Sequence, residues 1–198
     1  MTEIKTHPFK PFIVPSTEIL IVGSLPPEGA SMYFSNSHQI RLWDILYAIW
    51  NNEKKIGSGG WNFPLKVKFE ILYDLKLGLT DIILNYQRTM PDSNLDEYIN
   101  PVSYFNLTEL SSTLRIKKIL FVYESAARWF LHSLTGVTPL PFKRITCFNL
   151  NRGKITHPLI QHFKPECYLL PNPLSRGAFK GETLDLKRNV YQGFITNN

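Results

Sequence analysis

The residues best suited to chemistry sit in a loop that follows the apolar run Ile19-Leu20-Ile21-Val22. That run stops at Gly23-Ser24, and Leu25, Pro26, Tyr33, Phe34, Asn36, His38 and Gln39 come next. The amides of Asn36 and Gln39 and the imidazole of His38 can each hold a water molecule or donate a hydrogen bond. Tyr33 and Phe34 can stack on a flat ligand, or can simply anchor the loop. Asn36 also suits an Asx-turn or helix cap, His38 an ordinary surface or core position, and Gln39 a solvated helix start. A second group lies far along the chain: Asn172, Leu174, Ser175 and Arg176, with Asp81 and Arg88 in between. Asp81 divides between capping a turn and lining a site, and Asn172 before Pro173 also suits a turn. Arg88 and Arg176 could equally be solvated charges.

Other constellations fail on inspection. His157 and His162 have no carboxylate partner at metal-ligand spacing, so no metal site is expected. Gly57-Ser58-Gly59-Gly60 lacks the Lys-Ser/Thr of a phosphate-binding loop, and no Gly-x-Ser-x-Gly elbow occurs. Gly23-Ser24 could imitate a nucleotide-binding turn, but Leu25-Pro26-Pro27 offers few free backbone N–H groups to a phosphate. No cofactor is expected.

The scattered polar residues need a scaffold that gathers them. An unbroken Val/Ile/Leu run such as 18–24 reads as a parallel strand covered on both faces. The segment 117–123 reads the same way, and 78–84 and 167–171 read as shorter strands. Leu42, Ile45, Leu46 and Ile49 make the buried stripe of a helix over 39–51. Helices are also expected over 65–76, 105–114, 126–134 with Ser125 as its cap, and 183–194. The stretch 85–103, with Pro91 and Pro101, reads mostly as loop, and 144–149 could be a strand. Strands alternating with helices predict an α/β fold: a three-layer α/β/α sandwich around a mainly parallel four-stranded sheet. In such sheets ligands bind beyond the carboxyl ends of the strands. The loops 24–39, 80–93, 123–126 and 171–180 are therefore expected to meet at one edge.

A chain of 198 residues with 43% apolar content suits a single domain over 1–198, with 1–17 as an extended arm punctuated by Pro8, Pro11 and Pro15. A net charge of +6 is compatible with a polyanionic partner without identifying one. Cys147 and Cys167 form no Cys-x-x-Cys pair, which excludes a four-thiolate zinc or iron–sulfur site, and both read as reduced core residues. The start resembles neither a signal peptide nor a transit peptide, and no apolar run has the length of a membrane span. A cytoplasmic monomer that does not engage membranes is the expectation.

Several short pieces then fall into a familiar order. They are Ile19-Leu-Ile-Val-Gly-Ser-Leu-Pro, Tyr33-Phe34 with its polar neighbours, Trp43-Asp-Ile-Leu and Gly78-Leu-Thr-Asp-Ile. Arg88, Ser93, Asp96 and Ile99 follow, then Ile119-Leu-Phe-Val and Leu169-Leu-Pro-Asn-Pro-Leu-Ser-Arg. This order resembles the uracil-DNA glycosylase superfamily, nearest to its hypoxanthine-DNA glycosylase-like or mismatch-specific branch. The resemblance implies hydrolysis of the N-glycosidic bond of a flipped uracil, hypoxanthine or xanthine in DNA, single- or double-stranded, during repair. It implies that Gly23, Ser24, Leu25 and Pro26 wall the base pocket, with Tyr33 and Phe34 stacking on the base and Asp81 beside it. Asn172 would support the leaving base. Leu174, Arg176 or Phe179 would wedge the duplex, and Arg88, Ser175 and Arg176 would meet phosphates.

Leu25 stands where many members place a carboxylate or amide, and an aliphatic side chain cannot orient water. The resemblance shifts that role to Gln39, with Asn36 and His38 as alternatives. With no lysine in these loops before Lys180, hydrolysis by water is expected rather than Schiff-base lyase chemistry. The alternative is a catalytically inactive member of the fold that binds nucleic acid or a nucleobase-containing ligand. A nucleotide-metabolising hydrolase on an α/β sandwich is a third reading.

Overall fold

The computed structural model describes residues 3–34, 41–56, 63–90, 93, 95–145, 150–174 and 183–196. Asn36, His38, Gln39, Ser175, Arg176 and Phe179 lie outside the described residues, as do Cys147 and most of the strand expected over 144–149.

Eight strands and five helices are defined among those residues. The strands are β1 (Lys5–Thr6), β2 (Ile19–Gly23), β3 (Leu77–Asp81), β4 (Ile83–Arg88), β5 (Ile99–Tyr104), β6 (Lys118–Phe121), β7 (Gly153–Lys154) and β8 (Glu166–Leu169). The helices are α1 (Leu42–Trp50), α2 (Leu65–Asp74), α3 (Leu107–Thr113), α4 (Glu124–Ser133) and α5 (Leu184–Ile195).

Strand β2 lies inside the main sheet, between β3 and β6, and is buried at every position. Side chains alternate across a strand, so its residues feed two cores. Ile19 and Ile21 join the residues of α1, α2 and α5, including Leu42, Ile45, Ile71 and Tyr191. Leu20 and Val22 join Ala126, Ala127, Trp129 and Phe130 of α4. Helices thus cover both faces of the sheet, as the uninterrupted apolar run requires.

The main sheet has the order β3-β2-β6-β8-β7. Its first four strands are mutually parallel, and β7 adds an antiparallel edge against β8. The sheet is therefore five-stranded and mixed rather than four-stranded. A second sheet, β1-β4-β5, is antiparallel throughout. Part of it falls in the stretch 85–103 expected to be loop. Pro101 breaks the strand pattern in the sequence, yet β5 is an edge strand, where a missing N–H is tolerated. Polar residues on this hairpin satisfy one another: the Asn85 amide donates to the Ser103 hydroxyl at 2.8 Å.

The arm is not a loose tail. Lys5 and Thr6 pair with Tyr86 and Asn85, and Phe12 exchanges two backbone hydrogen bonds with Leu79 at 2.8 and 2.9 Å. This covers the open edge of β3 with paired backbone. Ser125 is not the cap of α4. Tyr123 occupies that position without a side-chain bond, and the Ser125 hydroxyl points elsewhere.

Three contacts fix the segment 171–174 after β8. The Tyr191 hydroxyl donates to the Pro171 carbonyl at 2.8 Å, Lys187 Nζ to the Leu174 carbonyl at 2.9 Å, and the Arg41 amide to the Pro173 carbonyl at 2.7 Å. No helix among the described residues is long and apolar enough to cross a membrane. Replacing Tyr191, which is fully buried, by Phe removes one of the three contacts and leaves the Pro171 carbonyl without it. Urea unfolding should show Tyr191→Phe less stable by about 1–2 kcal/mol, and an unchanged midpoint would show that this tie does not hold the segment.

Candidate active site at the strand ends

The carboxyl ends of β2, β3, β6 and β8 carry Gly23-Ser24, Asp81, Val122-Tyr123 and Asn172 to one edge of the parallel strands. Open α/β sheets bind their ligands at this edge. The sequence expectation that these loops converge therefore holds for their described parts.

Gly23 and Asp81 face each other in register across β2 and β3. A Cβ on Gly23 would lie 2.1 Å from Asp81 Oδ1 and 3.0 Å from the tip of the Phe34 ring. Only a residue without a side chain lets the carboxylate and the ring close over this point. Phe34 has φ +53, uncommon for a bulky residue, and such strain is found where the surrounding structure enforces it. Its ring is nearly parallel to that of Tyr123, with centroids 6.4 Å apart.

Asp81 is 3% exposed. Burial pushes its pKa up, while hydrogen bonding and charge from His7 and the Gly23 amide oppose the rise. His7 Nε2 lies 3.0 Å from Asp81 Oδ2, and His7 Nδ1 lies 2.7 Å from the Phe9 carbonyl. One proton bridges ring and carboxyl, whichever of the two carries it. The imidazole is clamped by aromatic rings: stacked on Tyr33 at 5.5 Å and edge-on to Phe9 and Phe105. Both ring nitrogens are spent inside the protein, so His7 holds Asp81 in place.

Tyr33 is buried, and its hydroxyl lies 3.3 Å from the Phe9 carbonyl. Burial, followed by the Asp81 charge, raises its pKa. The Tyr33 carbonyl accepts from the Trp43 indole at 3.1 Å, tying the loop to α1. Tyr33 thus anchors the loop and packs on His7, whereas Phe34 is the ring nearer the strand ends.

A second carboxylate enters from the hairpin. Asp96, just before β5, bonds the Ser125 hydroxyl and also reaches Ser24. The residue is half-buried, yet enough protein surrounds its carboxyl that desolvation raises its pKa. The hydroxyls of Ser125 and Ser24 oppose that rise, Asp81 adds to it, and Arg88 opposes it. The Tyr123 phenol rises for the same reasons: burial first, then the charges of Asp96 and Asp81.

Asn172 stands three positions beyond the end of β8, and its Oδ1 is buried with no hydrogen-bond partner among the described residues. Buried polar oxygens are nearly always hydrogen-bonded, so this atom is a candidate contact for a bound ligand. Leu174 is half-buried and bound through its carbonyl by Lys187.

The remaining expectations divide. Leu25 is half-buried and packs against the α4 side of the core. Pro26 is buried, and its carbonyl accepts from Arg88 Nη2 at 3.1 Å. Arg88 is 5% exposed, and its Nη1 donates to the Ser93 carbonyl at 2.7 Å. These two bonds brace the first loop against the hairpin. His7 was invisible in sequence, since it sits in the arm 74 positions from Asp81. Ser125 was visible only as a helix-start serine. Asp96 stands in the resemblance without a role, and the half-polar hairpin that carries it has the composition of a loop. No group of three or more His, Cys, Asp or Glu able to hold a metal exists among the described residues.

Gly23→Ala would drive a methyl group into Asp81 Oδ1 and Phe34, both fixed by packing. Its urea midpoint should fall by the equivalent of about 1–3 kcal/mol or more, and wild-type stability in this variant would contradict the close approach. The raised pKa of Asp96 also has a definite sign. Its folded state binds the proton more tightly than the unfolded chain, so its favourable contribution is full below the unfolded pKa. That contribution is lost as pH rises through the folded pKa. The stability of wild type relative to Asp96→Asn should therefore decline as pH rises above about 4, the ordinary range of an aspartate. The opposite slope would mean that hydroxyl bonding outweighs burial.

No family model matches the sequence, and no curated protein does. Among solved structures, the chain is similar to the solution NMR structure of a "putative Uracil DNA glycosylase" from Methanosarcina acetivorans, with a TM-score of 0.60. The match is 16% identical in sequence and covers 98% of this chain and 99% of that one. The two proteins share one mixed α/β fold over essentially their whole lengths.

Proposed function

We propose that this chain is a DNA glycosylase-like protein that hydrolyses the N-glycosidic bond of a flipped, deaminated base. The unpartnered Oδ1 of Asn172 carries the reading. It belongs to an amide at the strand ends, in the place where the resemblance expects support for the departing base. An amide offers both an acceptor and a donor to a base edge. The buried Oδ1 can accept from an N–H on the base edge; as the glycosidic bond breaks and negative charge builds on the base, the stabilising donor is the amide's Nδ2–H.

The aromatic rings fit the same role. Phe34 and Tyr123 provide π-faces at the strand ends, and a flipped base is held by stacking between aromatic or apolar side chains. Uracil, hypoxanthine and xanthine are the bases to test. Ser175 and Arg176 are the residues proposed for phosphate contact, and Leu174 for the wedge. The net charge of +6 favours a polyanion in general. The full-length likeness in fold to the archaeal protein supports this reading without naming the base.

One observation favours a second reading, a nucleic-acid or nucleobase binder without catalysis. Leu25 turns into the core side of its loop, so the first loop brings no carboxylate to a water. Incubation with duplexes and single strands carrying one uracil, hypoxanthine or xanthine, followed by alkaline scission, separates the two. The glycosylase reading expects strand cleavage on at least one lesion, with Asn172→Ala slower by about a hundredfold or more. Salt-dependent DNA binding with no cleavage on any lesion would leave the binder. Loss of both binding and cleavage would defeat the two together.

A further inference from the structure

The first loop has no carboxylate of its own, but two carboxylates reach it from other elements. Asp81 meets it at Gly23 and Asp96 at Ser24. Their partners differ. Asp81 is 3% exposed, with Oδ2 against His7 and Oδ1 against Gly23. The Asp96 carboxyl is also surrounded by protein, but its partners are two serine hydroxyls rather than an imidazole, and it sits on a turn rather than in a packed strand.

Resting on the glycosylase reading, the geometry points to Asp96 as the catalytic base that takes a proton from the attacking water, with Ser125 as its positioning residue. The oxygen of the water bonds to C1′ of the sugar as the C1′–N bond breaks. The electron pair of that bond leaves with the base. One water proton passes to the Asp96 carboxylate, and the departing base anion then recovers a proton from it, so the carboxylate is restored. No other reactant is needed.

The surroundings suit such a base. Five groups face Asp96: Asp81 from β3, Arg88 from β4, Ser24 after β2, and Tyr123 and Ser125 at the start of α4. Its neighbour Glu97 is paired with Lys143 at 3.1 Å. Desolvation, with Asp81 adding to it, lifts the carboxyl above the ordinary range, and a carboxylate works best as a base when its pKa approaches the working pH. Ser125 donates to the ionised form and so holds the pKa back. This assignment gives the hairpin β4–β5 a part in the reaction, and it gives Ser125 a purpose other than capping α4.

The test is single-turnover cleavage of a lesion duplex across a range of pH. Wild type should show an acid limb in its rate. Asp96→Asn, nearly isosteric and still able to bond both serines, should lose about 10²–10⁴-fold in rate with its DNA affinity within about threefold of wild type, and should lose the limb. Ser125→Ala should keep the limb and move it to higher pH, a change that a purely structural role for Ser125 would not produce. Circular dichroism melts check that both variants fold. If Asp96→Asn does not fold, the direction of the Ser125→Ala limb decides the matter.

Wild-type cleavage retained in Asp96→Asn with an unchanged limb overturns the inference and leaves the glycosylase reading standing. A limb that stays put or moves to lower pH in Ser125→Ala also overturns it. A wild type that cleaves no lesion overturns the glycosylase reading and this inference with it.

Discussion

Burying the Asp81 carboxyl at the end of β3 is the constraint on which the neighbouring structure depends. A carboxyl taken out of water is costly unless it is hydrogen-bonded or neutralised. The protein meets this with His7, drawn from the far end of the chain, and with the bare backbone of Gly23. The rest of the arrangement around it is consistent with that need. β1 pairs with β4 and so brings the arm to the site, Tyr33 and two phenylalanines clamp the imidazole, and residue 23 has no side chain. The arm therefore seals the edge of β3 and supplies the partner of its terminal carboxyl.

The parts of the fold that were legible in the sequence are those set by periodicity. β2 and β6 are unbroken apolar runs, and the stripe of α1 keeps its spacing, because burial on two faces or one face leaves a direct mark on residue type. The hairpin β4–β5 was not legible. It is half-exposed, its strands mix Asn, Gln, Ser and Pro, and its pairing is secured by side-chain bonds such as Asn85 to Ser103. The edge strand β7 is two residues long and leaves no pattern at all.

The site was legible where chemistry depends on chain position and obscure where it depends on long-range packing. Gly23, Phe34, Asp81 and Asn172 lie where strands end, and strand ends can be read. His7 reaches Asp81 only because a sheet forms between the arm and a hairpin that the sequence did not announce. Arg88 shows how packing adds what a polar stretch does not announce: it is buried, with Nη1 and Nη2 donating to two carbonyls. A fold shared at 16% identity is what such a pattern permits, since layer packing tolerates wide substitution while the strand-end residues decide the chemistry.

The central claim is that a nucleobase leaves the duplex and binds at the ends of β2, β3, β6 and β8. It is tested most directly by a crystal structure with a duplex carrying an uncleavable 2′-fluoro analogue of a deaminated nucleotide. The account predicts an extrahelical base against the rings of Phe34 and Tyr123, with the Asn172 amide hydrogen-bonded to its edge. A base that stays stacked in the duplex, or that lodges away from these strand ends, would contradict it.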